Sequence, residues 1–210
     1  MTFASTERRS LGTLLLDVGP DAPTLCEGWN THHLAVHLYI RENRPLATPG
    51  MFLAPLGGVL EKETRRQMER PYEDVVREWA AGPPLPMRPI DQSVNTAENF
   101  IHHEDVRRGD GVSRPRDFSA AVNGKLYKAA KIFGTASLRK SPVPVIVTPP
   151  SLPPLTLGER HGVAERGDNV IRVFGEPGEL LLWLSGRSAA DVRVEGDDAL
   201  VEQVTVKLGI

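Results

Sequence analysis

Glu98, His102 and Asp105 lie in the segment Asn95-Thr96-Ala97-Glu98-Asn99-Phe100-Ile101-His102-His103-Glu104-Asp105-Val106-Arg107-Arg108, where their types and spacing are those of a metal half-site. With about 100° of turn per helical residue, positions four apart diverge by roughly 40° and positions seven apart by about 20°, so the three side chains share one face. A carboxylate one turn from an imidazole still needs a ligand from another segment. The candidate is His37, in Asn30-Thr31-His32-His33-Leu34-Ala35-Val36-His37-Leu38, the only other histidine set in an apolar helical pattern; His161 sits among glycine and charged residues. Two histidines and a glutamate leave coordination positions open, which is the arrangement of catalytic rather than structural zinc.

Each of these features also has a plainer account. A Glu and a His four apart are common on solvated helix faces, where the pair contributes only a few tenths of a kcal/mol, and His37 can serve as a hydrogen-bonded core histidine. Against this stands the distribution: five of the six histidines fall in two short segments, each helical by pattern and each with one histidine on its apolar side. Asp105 either accepts a hydrogen bond from a ligand imidazole, or orients a water, or pairs as a helix-face carboxylate with Arg107 or Arg108. Arg41 and Arg44, four and seven residues after His37, either bind a substrate carboxylate or snorkel to solvent and pair with acidic residues of the next helix. Cys26, the single cysteine, lies just ahead of the His37 helix, so a nucleophilic role is conceivable; its apolar neighbour Leu25, and nothing nearby but the helix start to lower its pKa, favour a small buried hydrophobe.

The chain has 210 residues, 40% hydrophobic and 25% charged, as expected for a soluble globular protein of one large or two modest domains. A net charge of -2 carries no electrostatic footprint for nucleic acid or anionic membranes. The amino terminus lacks the apolar stretch of a signal peptide, and no apolar run approaches the ~20 residues of a membrane span, so a cytoplasmic protein is expected. One cysteine excludes an internal disulfide and every Cys-rich metal site.

Apolar periodicity and its breakers predict helices over about 5–18, ended by Gly19-Pro20, over 31–44, ended by Pro45, over 59–69, ended by Pro71, and over 72–79. Residues 48–58 read as a packed connection through Met51, Phe52, Leu53 and Leu56. The candidate metal helix spans about 93–108, and a further helix spans 118–138 with Leu126, Ile132 and Phe133 as core positions. Composition then changes: 142–147 and 169–174 read as strands, 149–154 as a proline-rich connection, 176–184 as a helix, 191–195 as a strand and 197–206 as a closing helix. The expected architecture is a mainly α chain, with a helical bundle over 1–140 followed by a small α+β domain over 141–210.

On these residues the chain resembles the DinB-like four-helix bundle proteins, specifically the actinobacterial mycothiol-dependent maleylpyruvate isomerase family and its metal-binding relatives. The likeness runs from Gly19-Pro20-Asp21-Ala22-Pro23-Thr24-Leu25-Cys26-Glu27-Gly28-Trp29 through the His37 helix and the Glu98-to-Arg108 segment. It continues into Gly178-Glu179-Leu180-Leu181-Leu182-Trp183-Leu184-Ser185-Gly186-Arg187. A departure is His33, where the family often carries an acidic residue that complements the helix dipole. The resemblance implies a divalent metal, commonly zinc, held by His37, Glu98 and His102, with a fourth position for water or a thiol such as mycothiol. Three functions follow as expectations: a metal- and thiol-dependent isomerase or transferase acting on a small electrophilic substrate, a metal-dependent hydrolase on the same ligands, or a non-catalytic metal-binding or stress-response module. The expected partners are small molecules, with no nucleic acid or membrane, and the expected state is a monomer or homodimer.

Overall fold

Local chemistry sets where the helices begin and end. The structure, a computed structural model, describes residues 2–82, 88–158 and 170–208, with the backbone alone for 88–95, 206 and 207. The Thr2 hydroxyl accepts from the Ser5 N–H at 3.2 Å while the Ser5 hydroxyl accepts from the Thr2 N–H at 3.0 Å, and this reciprocal cap opens helix α1 (Phe3–Val18). Gly19, at φ +79°, ends it in the left-handed region. Asn30 caps α2 (Thr31–Asn43) by accepting from the His33 N–H at 3.0 Å. Two short 3-10 turns, Thr48–Met51 and Ala54–Leu56, then lead to α3 (Gly57–Met68), α4 (Tyr72–Ala80) and α5 (Arg88–Arg107).

The helices through α5 form one unit, Met1–Asp110. Helix α1 packs against α5 and α4, and α2 against α4 and α3. Their shared core holds Leu11 and Leu15 of α1, Leu34 and Leu38 of α2, and Val75, Val76 and Trp79 of α4, each such aliphatic side chain contributing about 1.5–3 kcal/mol by burial. Buried ion pairs tie the same helices: the Arg8 guanidinium meets both carboxylate oxygens of Glu42 at 2.7 and 2.8 Å and lies over the Trp79 ring. The expectation of a packed connection over 48–58 is corrected. Met51 packs against the core, while Phe52, Leu53 and Leu56 remain 77%, 53% and 37% exposed.

The second unit is Gly111–Ile210. It comprises α6 (Ala120–Ser137), β1 (Val145–Thr148), β2 (Leu155–Leu157), β3 (Ile171–Phe174), α7 (Pro177–Leu184), β4 (Arg193–Glu195) and α8 (Asp198–Leu208). The strands lie in the order β2-β1-β3-β4, with β1 and β3 parallel in the register Val145 to Ile171 and the outer pairs antiparallel. Helix α6 packs on α7 and β2, and at Gly134 a Cβ would stand 2.4 Å from Leu157 Cδ1 and 3.1 Å from Leu184 Cδ1. The boundary thus falls at Asp110 and not at 140: composition changes where the strands begin, but the helix before them already belongs to their core. Leu126 is fully buried as expected, whereas Ile132 is 70% exposed because Ala130 and Gly134 turn that face of α6 inward. Strand β2, directly after Pro153-Pro154, lies beyond the elements expected from sequence. The mainly helical class and the small carboxy-terminal sheet are as expected; His161 and Asn169 lie outside the described residues. Among the described residues no helix is long and apolar enough to cross a membrane.

Residues 19–30 are docked on the end of α5. Leu25 N–H donates to the Asp105 carbonyl at 3.0 Å, the Thr24 hydroxyl donates to the Trp29 carbonyl at 2.8 Å, and Pro23 bridges to Asn30. Gly109 makes the approach possible, since a Cβ there would stand 2.0 Å from the Pro23 carbonyl oxygen. Gly109→Ala must therefore displace backbone, and is expected to lower stability by about 1–3 kcal/mol in denaturant unfolding followed by circular dichroism. An unchanged midpoint would show that the 23–24 backbone is not held against Gly109.

Candidate metal centre

Three pieces of chain meet at one end of the helical unit: α2 supplies His37 and Arg41, α5 supplies Glu98, His102 and Asp105, and the docked loop supplies Cys26 and Trp29. His37, Glu98 and His102 each present one ligand atom, all within 4.8 Å of one another. The His37 and His102 rings meet edge to face at 5.3 Å between centroids, and the Trp29 ring lies tilted against His37 at 5.1 Å. His102 is buried and Glu98 half-buried.

The tautomer of His102 follows from its neighbours. Its Nδ1 lies 2.9 Å from Oδ2 of Asp105, a carboxylate with no solvent exposure, so Nδ1 carries the proton and donates. The other nitrogen, Nε2, faces Glu98 Oε2 at 3.3 Å. In the metal-free site a proton on Nε2 meets that carboxylate, and a divalent ion would take the proton's place. That separation is just beyond the usual 2.7–3.2 Å of an N–H···O bond, and it matches the edge of roughly 3.3–3.6 Å between donors on a tetrahedral ion with bonds of about 2.0–2.2 Å. The donor set, its spacing and the carboxylate behind the imidazole thus all fit a divalent ion, in the carboxylate–histidine–metal arrangement.

Without an ion the site stores protons unusually. Burial alone would lower the His102 imidazole, but its hydrogen bonds to Asp105, Cys26 and Glu98 and the Asp105 charge hold it well above its ordinary 6.5. Burial would raise the Glu98 carboxyl; the hydrogen bond and charge of His102, with the charges of Arg41 and His37, bring it instead to about 2.

Asp105 is the imidazole acceptor anticipated from sequence and not a surface carboxylate, because Arg107 and Arg108 both turn to Glu104, at 2.7 and 2.6 Å. Arg41 reaches the site, with Nη2 at 3.4 Å from Glu98 Oε1. Arg44 does not. Helix α2 ends at Asn43, Arg44 leaves helical geometry at φ −128°, and its guanidinium binds Glu63 at 2.7 Å and lies over Tyr39; the helical spacing that placed it beside His37 no longer applies there. The remaining described histidines point elsewhere: His103 to Glu7 at 2.9 Å, His32 edge-on to Tyr72, and His33 back to its own cap Asn30.

Cys26 is the residue that sequence reasoning missed. It does pack partly against the core, but its Sγ also lies 3.2 Å from Asp105 Oδ2. The contact joins residues 79 apart, through a loop whose path no local period encodes. The one local signal was its position between two helices, three residues before a tryptophan that packs against His37.

For metal-free protein, the stability that His102 contributes through its raised value is fully present below 6.5 and lost as pH rises through the folded value. That of Glu98 is present above its unfolded value of 4.5 and lost as pH falls toward about 2. An NMR titration of the metal-free chain is expected to place the His102 ring well above 6.5, and Asp105→Asn to bring it down. A His102 midpoint at or below 6.5 would contradict the assigned hydrogen bonds. Compared with known proteins, the chain matches no family model, no curated protein and no solved structure, so the chemistry of the site is argued from its own residues.

Proposed function

We propose that this chain is a divalent-metal-dependent enzyme of the DinB-like, mycothiol-dependent maleylpyruvate isomerase type, which uses a low-molecular-weight thiol for isomerisation of, or transfer to, a small electrophile. The observation that carries this reading is the convergence of His37, Glu98 and His102 within 4.8 Å, with His102 set by Asp105 so that Nε2 is the nitrogen turned to the other ligands. A bound ion, zinc in the first instance, would supply Lewis acidity and lower the pKa of a coordinated thiol to give thiolate at neutral pH.

The chain's own residues supply the rest. Asp105 fixes the ring and keeps the Nδ1 proton. Glu98 brings a negative charge that offsets the ion, and Arg41, bound to the second oxygen of Glu98, places a guanidinium at the edge of the site where a carboxylate-bearing substrate can meet it. The Trp29 ring packs against His37. Three protein ligands leave room for an exogenous thiol.

Dialysed protein is expected to keep one tightly held ion per chain, lost in His37→Ala and kept in His33→Ala, as measured by elemental analysis. Turnover of an electrophilic test substrate should need both the ion and added mycothiol, or a thiol mimic, and fall at least 100-fold without either, since the reactive thiolate fraction disappears. Substituting Arg41→Gln should weaken carboxylate-bearing substrates more than neutral ones, by about 1.5–3 kcal/mol per lost charge-assisted contact. Undiminished turnover after chelation, or a dialysis-stable ion in His37→Ala, would overturn the reading.

A further inference from the structure

The site reading uses only one nitrogen of His102. A second group of donors stands against the same ring: Cys26, Asp105 and His102 each offer a ligand atom within 4.8 Å of the others, and Asp105 Oδ2 lies 3.2 Å from Cys26 Sγ and 2.9 Å from His102 Nδ1. We propose that these three form a second metal position of thiolate type, which takes thiophilic divalent ions such as zinc, cadmium or cobalt. It is distinct from the first position, because the two address opposite nitrogens of His102. An ion in each would be bridged by the imidazole.

Chemistry and geometry support it together. Thiolate, imidazole nitrogen and carboxylate are the three ligand types that zinc accepts. The present separations, 3.2 Å from sulfur to Oδ2 and 2.9 Å from Nδ1 to Oδ2, are hydrogen-bond lengths that need only a small opening to become the edges of a coordination tetrahedron. The donors are also held relative to one another: Leu25, adjacent to Cys26, donates its N–H to the carbonyl of Asp105 itself at 3.0 Å, and the Cys26 N–H donates to Thr24 Oγ1 at 3.2 Å. Cys26 is half-buried, at the edge of the docked loop, while Asp105 is fully buried. Entry of a dication displaces the Cys26 S–H and His102 Nδ1–H protons to solvent. Two positive charges leave as two arrive, so filling the position adds no net charge to a buried site.

Cys26 is the sole cysteine of the chain, which makes the test specific. In thiol-free buffer with excess cobalt(II), the full-length protein is expected to bind two ions and to show a near-ultraviolet thiolate-to-cobalt charge-transfer band. Cys26→Ser should bind one ion and lose the band, and His37→Ala should bind one ion and keep it. Circular dichroism checks that each variant remains helical. Absence of the band in wild-type protein at saturating cobalt would overturn the proposal. So would its loss in folded His37→Ala, which would place Cys26 on the first ion. Absence of the band in wild-type protein leaves the dialysis-stable ion of the first position in place, so failure here is separable from failure of the enzymatic reading, on whose first ligand set this inference rests.

Discussion

The buried carboxylate of Asp105 is the constraint on which the rest of the site depends. Its Oδ2 receives both the Nδ1 proton of His102 and the thiol of Cys26, while its backbone carbonyl receives the N–H of Leu25. One residue therefore sets the orientation of an imidazole on its own helix and anchors a loop whose Cys26 lies 79 residues earlier in the chain. A carboxylate with no exposure is costly unless it is hydrogen-bonded and paired, and these contacts satisfy it. The consequence is a histidine whose remaining nitrogen has one direction available to it, toward Glu98 and His37.

The surrounding charges follow the same logic. Helix α5 carries Glu98, His102, His103, Glu104, Asp105, Arg107 and Arg108 in close succession, and the neighbouring elements separate them into pairs. Glu104 takes both arginines, Glu7 of α1 takes His103, and Arg41 of α2 takes Glu98. Glu104 and Arg108 are both buried, and removal of Glu104 would take the closest carboxylate from two guanidinium groups at once, at a cost of several kcal/mol for buried pairs of this kind. This sorting keeps Asp105 for His102: had Arg108 turned to it, the imidazole would have lost its acceptor and its tautomer.

Much of this was legible in the sequence where a local period governs. The spacing of Glu98, His102 and Asp105 on one helix, and of His37 on the apolar side of another, requires only that both segments be helical, and both are. Tyr72, Val75, Val76 and Trp79 were readable for the same reason. What could not be read depends on breaks in periodicity or on distant contacts. Arg44 falls one residue past the end of its helix, so its phase relative to His37 is lost. Ile132 lies on the wrong side of α6 because two small residues, Ala130 and Gly134, allow closer packing than a larger one would. Cys26 meets Asp105 only because Gly109 lets the Pro23 carbonyl come close, an arrangement between residues far apart in the chain.

The central claim, that His37, Glu98 and His102 hold a divalent ion, is tested most directly by the X-ray absorption spectrum of protein loaded with one equivalent of zinc. The account predicts a shell of nitrogen and oxygen at about 2.0–2.2 Å, with the outer-shell scattering of two imidazole rings and no sulfur. A spectrum without imidazole scattering, or with a sulfur ligand at this loading, would contradict it.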